Sequence, residues 1–170
     1  MGKPCVPDQA LLFVGVLYRE EEYLSRSKKE LYGSFGESVL ESPPIPWDYS
    51  QYYRSELGSP LLRRFVFFRD PISPETLCDI KLVTNALEAD LSTDGKRNVN
   101  LDPGYLTAYN VVLASTKNYA HRIYIGKGIY AEITLLYRDG KYRPHVFTYR
   151  DYASDEYAAL FARARKFLKA

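Results

Sequence analysis

The stretch Leu11–Tyr18 reads LLFVGVLY, an uncharged apolar run interrupted only by Gly15. Such a run is typical of a strand that is buried on both faces of a sheet. Leu24, Leu31 and Phe35 follow at helical spacing, after three glutamates at the start of that segment, where the helix dipole favours them. The sequence therefore predicts a central strand followed by a helix over residues 19–35.

The next elements continue the pattern of an α+β protein. Strands are predicted at residues 39–45 and 61–68, with a short helix from Asp48 to Leu57 between them. A longer helix begins at Ser73-Pro74, with Ser73 as its N-cap. A strand through residues 99–101 then completes a β-α-β-β-α-β order, which is a ferredoxin-like core.

Two turn signals predict antiparallel hairpins after this core. Gly126-Lys127-Gly128 and Asp139-Gly140 are turn sequences, so three strands are expected between residues 121 and 144. The apolar residues on either side of the first turn match only if its loop is odd, so three residues form the loop. In that register Arg122 lies directly opposite Glu132.

The remaining segments complete the expected architecture. Residues 105–115 fit both helix and strand, and Thr107 as a cap favours helix. Ser154 is the predicted N-cap of a C-terminal helix. No repeat or linker divides the chain, so residues 1–170 are expected to form a single domain.

Composition and charge exclude several classes of partner. The chain has 23 basic and 21 acidic side chains, a balance that does not indicate nucleic acid or an anionic membrane. Cys5 and Cys78 show no metal spacing, and a reducing compartment fits them. No apolar run approaches the length of a membrane span. We therefore expect a cytoplasmic protein without a membrane partner.

Motifs for nucleotide and metal binding are absent from the sequence. Gly126-Lys127-Gly128 is not followed by a helix, so it is not a phosphate-binding loop of the usual kind. His121 and His145 do not form a ligand pair, and neither begins the His-x-Thr/Ser motif of two-histidine phosphoesterases. No cofactor and no metal site are therefore expected.

Polar residues are concentrated between residues 98 and 134, which makes this segment the candidate site. The candidate ligand-binding residues are Asp102, Lys117, His121, Arg122 and Glu132. Lys117 lies in a polar loop, and such loops often carry binding residues.

Each candidate also has a purely structural interpretation. Asp102 begins Asp102-Pro103-Gly104, which has the composition of a turn. Arg122 and Glu132 can pair across the hairpin, and His121 can be a strand-end residue. Only the concentration of these residues favours a site.

Several segments together resemble a family of prokaryotic proteins, the domain of unknown function 4416. The segments are residues 99–107, 113–117 and 121–132, with Phe13-Val14-Gly15, residues 79–85 and residues 148–152. Arg150 departs from the family pattern, where Pro is expected. Family members often carry the label of a GTP-binding protein, which no residue here supports. The resemblance implies no activity, but it implies that the polar candidates belong to the family's own motifs.

Two classes of function remain open at this point. The first is a small enzyme or binding protein that uses the five candidates on an anionic ligand, phosphorylated or nucleotide-like. The second is a module that binds RNA or a protein through a Tyr-rich sheet surface, and an assembly subunit without a ligand is a third alternative. A concave pocket favours the first class, whereas a flat exposed Tyr/Arg surface favours the second. Catalytic residues and oligomeric state do not follow from the sequence.

Overall fold

The apolar run at residues 11–18 forms the centre of a nine-stranded antiparallel sheet. In the computed structural model, which describes residues 2–168, this run is strand β1 (Leu11–Tyr18). The other strands are β2 (Ser38–Glu41), β3 (Ile45–Trp47), β4 (Leu61–Phe68), β5 (Val99–Leu106), β6 (Asn110–Ser115), β7 (Ile123–Gly126), β8 (Ile129–Arg138) and β9 (Lys141–Arg143). Their order is β2-β4-β1-β5-β6-β8-β7, with β3 beside β4 and β9 beside β8.

Helices cover both faces of the centre of this sheet. They are α1 (Glu21–Phe35), α2 (Gln51–Leu57), α3 (Leu77–Asp90) and α4 (Asp155–Ala164). α1 and α3 pack against one face of β1, where Val14 and Val16 lie. α4 packs against the other face, where Phe161 contacts Phe13 edge to face. This double covering explains why β1 has no polar face, and it confirms a mixed α+β fold.

The helices can be compared with the length and composition of a membrane span. None of the helices within residues 2–168 combines the length and the apolar composition that crossing a bilayer requires.

The predicted caps are partly confirmed. The Ser154 side chain accepts a hydrogen bond from the Tyr157 amide at 3.3 Å and begins α4, as predicted. After Ser73, residues Pro74–Thr76 form a short 3-10 turn, and α3 begins only at Leu77.

Residues 105–115 are strand, so the prediction of a helix there is wrong. They contain the end of β5, a tight turn and β6. The Thr107 hydroxyl accepts hydrogen bonds from the amides of Tyr109 and Asn110, at 3.0 and 3.1 Å. Thr107 thus closes a hairpin turn with the same chemistry that caps a helix, and the buried residues Val111 and Val112 follow their strand preference.

The single strand predicted at residues 39–45 is two short strands, β2 and β3, both paired with β4. Pro43 and Pro44 lie between them and cannot donate to the ladder. The Ser42 hydroxyl bridges the interruption by accepting from the Phe65 amide at 3.0 Å.

The register of the β7–β8 hairpin is confirmed. Tyr124 pairs with Tyr130, which places Arg122 opposite Glu132 on the other face from Ile123. The loop length was predicted wrongly, because β7 and β8 are joined by two residues and a β-bulge follows Tyr124. The bulge adds one residue to β7, which replaces the residue missing from the loop, so the predicted alignment of the apolar residues on the two strands is kept.

Candidate functional site

A gap between β5 and β6 opens a cavity of about 640 Å³, which we call the cleft. The two strands pair only near their connecting turn, and the pairing ends at Gly104 opposite Leu113. β6 continues beside β8 to Ser115, whereas the first half of β5 pairs only with β1. Pro103 lies next to the last paired residue and has no N–H group to extend the ladder.

Asp102-Pro103-Gly104 lies inside β5, so the interpretation of this segment as a turn is wrong. A side chain at Gly104 would collide with the Val112 carbonyl oxygen and the Phe13 ring. The glycine is therefore needed for close packing between strands, and the proline stands where pairing stops. Both residues look like turn residues in the sequence, but in the structure they serve the packing and pairing of strands.

Side chains of α3 satisfy the unpaired edge of β5. The Leu101 amide donates to the Glu88 carboxylate at 2.5 Å, and the Leu101 carbonyl accepts from the Lys81 ammonium at 2.8 Å. Lys81, Asn85 and Glu88 share one face of α3 because of their spacing, and all three line the cleft. Backbone groups that a neighbouring strand would otherwise bond thus have partners inside the protein.

Arg63 of β4 lies buried in the cleft wall, with its side chain 3% exposed. Its Nη1 donates to the Asp102 carboxylate at 2.7 Å and to the Gly15 carbonyl at 3.3 Å. Its Nη2 lies 3.7 Å from Asp151. A Cβ at Gly15 would lie 3.0 Å from Nη1, which explains the glycine inside an apolar strand.

The residues around Asp151 leave polar atoms without partners. Asp151 accepts from the Trp47 indole and from the Tyr152 amide, both at 2.9 Å. The Tyr152 hydroxyl and the Nε of Arg63 are buried and have no hydrogen-bond partner within residues 2–168. Burial raises the pKa of Tyr152 well above its ordinary value, so the hydroxyl keeps its proton. Both side chains belong to residues that line the cleft, so their unpaired atoms are candidates for contact with a ligand.

Arg97 connects α2 to this network. It binds both carboxylate oxygens of Glu56, at 2.7 and 2.6 Å, and also donates to Glu88 at 3.2 Å. It donates to Asn100 at 2.8 Å, and Asn100 in turn donates to Asp102 at 2.8 Å. A continuous chain of hydrogen bonds therefore runs from α2 to Asp102.

The charge of Lys81 acts on two carboxyl groups of the cleft, whose pKa values shift in opposite directions. Burial alone would raise the pKa of Asp102, but the charges of Arg63 and Lys81 outweigh it and lower this pKa below its ordinary value. For Glu88, burial dominates and raises the pKa, although Lys81 opposes it. Asp102 is therefore the more firmly ionised of the two.

The acidic side chains of the cleft bond arginines, and they are not grouped as metal ligands. Glu56 pairs with Arg97, and Asp102 pairs with Arg63. In the part of the chain that the structure describes, no three His, Cys, Asp or Glu side chains are grouped so that they could hold a metal ion.

Three of the five candidate residues line the cleft: Asp102, Lys117 and Glu132. His121 and Arg122 lie behind Glu132 and contact its carboxylate, His121 Nε2 at 2.9 Å and Arg122 Nε at 2.6 Å. We call His121, Arg122 and Glu132 the hairpin cluster.

Arg122 also holds two other parts of the cleft wall. Its Nη1 donates to the Lys117 carbonyl at 2.9 Å, and its Nη2 donates to the Tyr149 hydroxyl. The Lys117 ammonium itself lies at the mouth of the cleft, 4.8 Å from the centre of the Tyr52 ring. Arg122 therefore positions residues that line the cleft.

Sequence reasoning missed several charged residues of the cleft: Arg63, Lys81, Glu88, Arg97 and Asp151. The first three had a signal, because a charge inside an apolar strand or on the apolar face of a helix is costly to bury without a function or a partner. Arg97 and Asp151 lie in connecting segments, where a charge is ordinary.

Comparison with known proteins gives a family match that includes all the residues lining the cleft. The family model described as domain of unknown function DUF4416 matches residues 8–167, which confirms the resemblance seen in the sequence. No curated protein and no solved structure matches the chain. Because the match covers nearly its whole length, the chain belongs to the DUF4416 family.

Proposed function

We propose that the chain binds a small anionic ligand, phosphorylated or nucleotide-like, in the cleft. The volume of about 640 Å³ lies within the range of roughly 300–1,000 Å³ that is usual for small-molecule sites.

Lys81 is the observation that carries this proposal. Its side chain is buried, with 6% of the residue exposed, and within residues 2–168 its ammonium makes one hydrogen bond, to the Leu101 carbonyl. An ammonium has three donors, so two are left for a ligand. The charges of Asp102 and Glu88 act on it, but neither forms a salt bridge with it within residues 2–168. A buried charge without a direct ion-pair partner is costly for folding, which indicates that it serves binding.

The other cations of the cleft fit the same proposal. Arg63 and Arg97 are paired with carboxylates, so they do not add free positive charge. The Lys117 ammonium at the mouth lies over the Tyr52 ring and forms no salt bridge within residues 2–168, so it remains available to an anion. Lys81 and Lys117 thus supply positive charge at the inner and outer parts of the cleft.

Aromatic side chains around the mouth support the nucleotide-like variant. Tyr49, Tyr52 and Tyr149 line the cleft and are 42%, 55% and 46% exposed. Tyrosine rings at this exposure offer surfaces on which a planar base can stack.

The alternative of an RNA-binding or protein-interaction module has less support. Four tyrosines are buried in the protein core: Tyr18, Tyr142, Tyr152 and Tyr157. Exposed aromatic residues do lie near the β7 edge, where Tyr124 is 59% and Phe147 is 52% exposed. The cleft is lined by basic residues, among them Lys81 and Lys117, which favours the cleft as the binding site.

A thermal-shift screen against nucleotides, phosphorylated metabolites and short RNA tests the proposal. We expect a phosphorylated compound to raise the melting temperature, and Lys81→Met to weaken its Kd by at least about tenfold. Lys81→Met also leaves the Leu101 carbonyl without its donor, so its melting temperature is measured beside the Kd, and circular dichroism checks that the variant is folded at the titration temperature.

The matched control is Lys29→Met, which changes an exposed lysine of α1 away from the cleft. Equal binding by the two variants would contradict the proposed site. A wild-type protein that responds to no compound of the screen would contradict the proposed function.

We also propose that β1-α1-β2-β4-α3-β5 is a ferredoxin-like core. The sheet order β2-β4-β1-β5 and the position of α1 and α3 on one face support this assignment. A crystal structure in which β4 does not lie between β1 and β2 would contradict it.

A further inference from the structure

We infer that the ligand of the cleft carries hydroxyl groups next to its phosphate, as sugar phosphates and the ribose phosphate of nucleotides do. The inference rests on the proposed function and adds the chemical class of the ligand. It follows from the inner end of the cleft, which we define as Lys81, Asp102 and Tyr152.

Asp102 offers an acceptor to the cleft. Its Oδ2 accepts from Arg63 and Asn100, whereas Oδ1 has no partner within residues 2–168. The side chain is 24% exposed although β5 is an interior strand, and Asp102 lines the cleft. An ionised carboxylate only accepts hydrogen bonds, so a ligand must present a donor here.

Lys81 places positive charge next to this acceptor. Its ammonium is bonded to the carbonyl of Leu101, the residue directly before Asp102. The charge of this ammonium also lowers the pKa of Asp102, so a phosphate that contacts Lys81 comes within electrostatic range of the Asp102 carboxylate. Two like charges repel each other there unless a neutral donor of the ligand lies against Asp102.

Tyr152 adds a group that can both donate and accept. Its hydroxyl is buried, lacks a partner within residues 2–168, and lies on a residue that lines the cleft and is 2% exposed. Hydroxyl groups of a ligand can donate to Asp102 and exchange hydrogen bonds with Tyr152, while phosphate oxygens accept from Lys81. A phosphate without hydroxyl groups leaves Asp102 unpaired.

Calorimetric titration of the full chain with two matched pairs of probes tests the inference. The first pair is glycerol 3-phosphate and propyl phosphate, which differ by two hydroxyls. The second pair is adenosine 5′-monophosphate and its 2′,3′-dideoxy analogue. We expect the hydroxylated member of at least one pair to bind about tenfold tighter. Selectivity in the first pair points to free sugar phosphates, and selectivity confined to the second pair points to nucleotides.

Equal affinities within both pairs would overturn the inference and leave the proposed function intact. If none of the four probes binds and the thermal-shift screen of the wild-type protein finds no ligand either, the proposed function fails and the inference fails with it. A ligand that the screen finds without hydroxyl groups beside its phosphate would overturn the inference alone.

Two variants assign the selectivity to named atoms. Asp102→Asn keeps a polar group of the same shape but puts an amide in place of the free oxygen, so selectivity should fall to within about twofold. Tyr152→Phe removes a hydroxyl that has no partner within residues 2–168 and should reduce selectivity about threefold. Tyr157→Phe is its control, since the Tyr157 hydroxyl is also buried and unpaired among the described residues, but Tyr157 does not line the cleft. Full selectivity in both Asp102→Asn and Tyr152→Phe would overturn the inference.

Discussion

The cleft and the hairpin cluster each contain an arginine paired with a carboxylate, but they use the pair differently. In the hairpin cluster, Arg122 and Glu132 are 4% and 3% exposed, and His121 also contacts the Glu132 carboxylate. In the cleft, Arg63 is equally buried, but its partner Asp102 is 24% exposed. In the first arrangement both charged groups are buried and paired with each other, although His121 Nδ1 has no partner within residues 2–168. In the second, the partly exposed carboxylate leaves an oxygen for a ligand.

Strand pairing explains the difference. Arg122 and Glu132 face each other across the hairpin of β7 and β8, so each finds its partner across the strands. Asp102 lies where the pairing of β5 and β6 has stopped, so the strand opposite is missing. Where strands pair continuously, polar groups find their partners across the strands. Where the pairing stops, as between β5 and β6, space is left for a ligand.

The strongest test of this comparison is Arg63→Met. It leaves Asp102 and Asp151 without the buried arginine, and we expect unfolding by urea to show a loss of about 3–5 kcal/mol in stability. The control is Arg64→Met, which removes a partly exposed pair with Glu41 and should cost about 1 kcal/mol or less. Equal losses would show that burial does not distinguish the two neighbouring arginines.

A smaller loss is expected from Arg122→Met in the hairpin cluster. Glu132 keeps its contact with His121, so stability should fall by about 2–3 kcal/mol in the same urea measurement. The Kd of the compound found by the screen should change less than about fivefold, because Arg122 acts through the residues it positions. Lost binding at unchanged stability would instead make Arg122 a direct ligand contact.

The smallest effect on stability is expected from Lys117→Ala at the mouth of the cleft. The exposed ammonium lies over the Tyr52 ring and forms no salt bridge in the described part of the chain, so the unfolding free energy should change by less than about 0.5 kcal/mol. Calorimetry should show binding of the same compound weakened about three- to tenfold, since a positive charge at the mouth of the cleft is lost. Lys29→Ala on α1 is the control, and equal behaviour of the two variants would exclude Lys117 from the site.

Local sequence rules predicted most elements and only part of the site. The hairpin register followed from apolar parity, and it correctly paired Arg122 with Glu132. The same local rules assigned Asp102-Pro103-Gly104 to a turn and residues 105–115 to a helix. Both errors have one cause: capping and turn residues also occur at strand ends and at breaks in a sheet, where distant segments decide their role.

The sequence by itself determined the central strand, because an apolar run without a polar face can only be buried on both sides. It also determined the β7–β8 register, because side chains alternate between faces with a period of two. The cleft was decided only by the tertiary structure. Lys81, Arg63 and Asp102 come from a helix and two strands that are far apart in sequence, and no local pattern records that they meet where β5 and β6 separate.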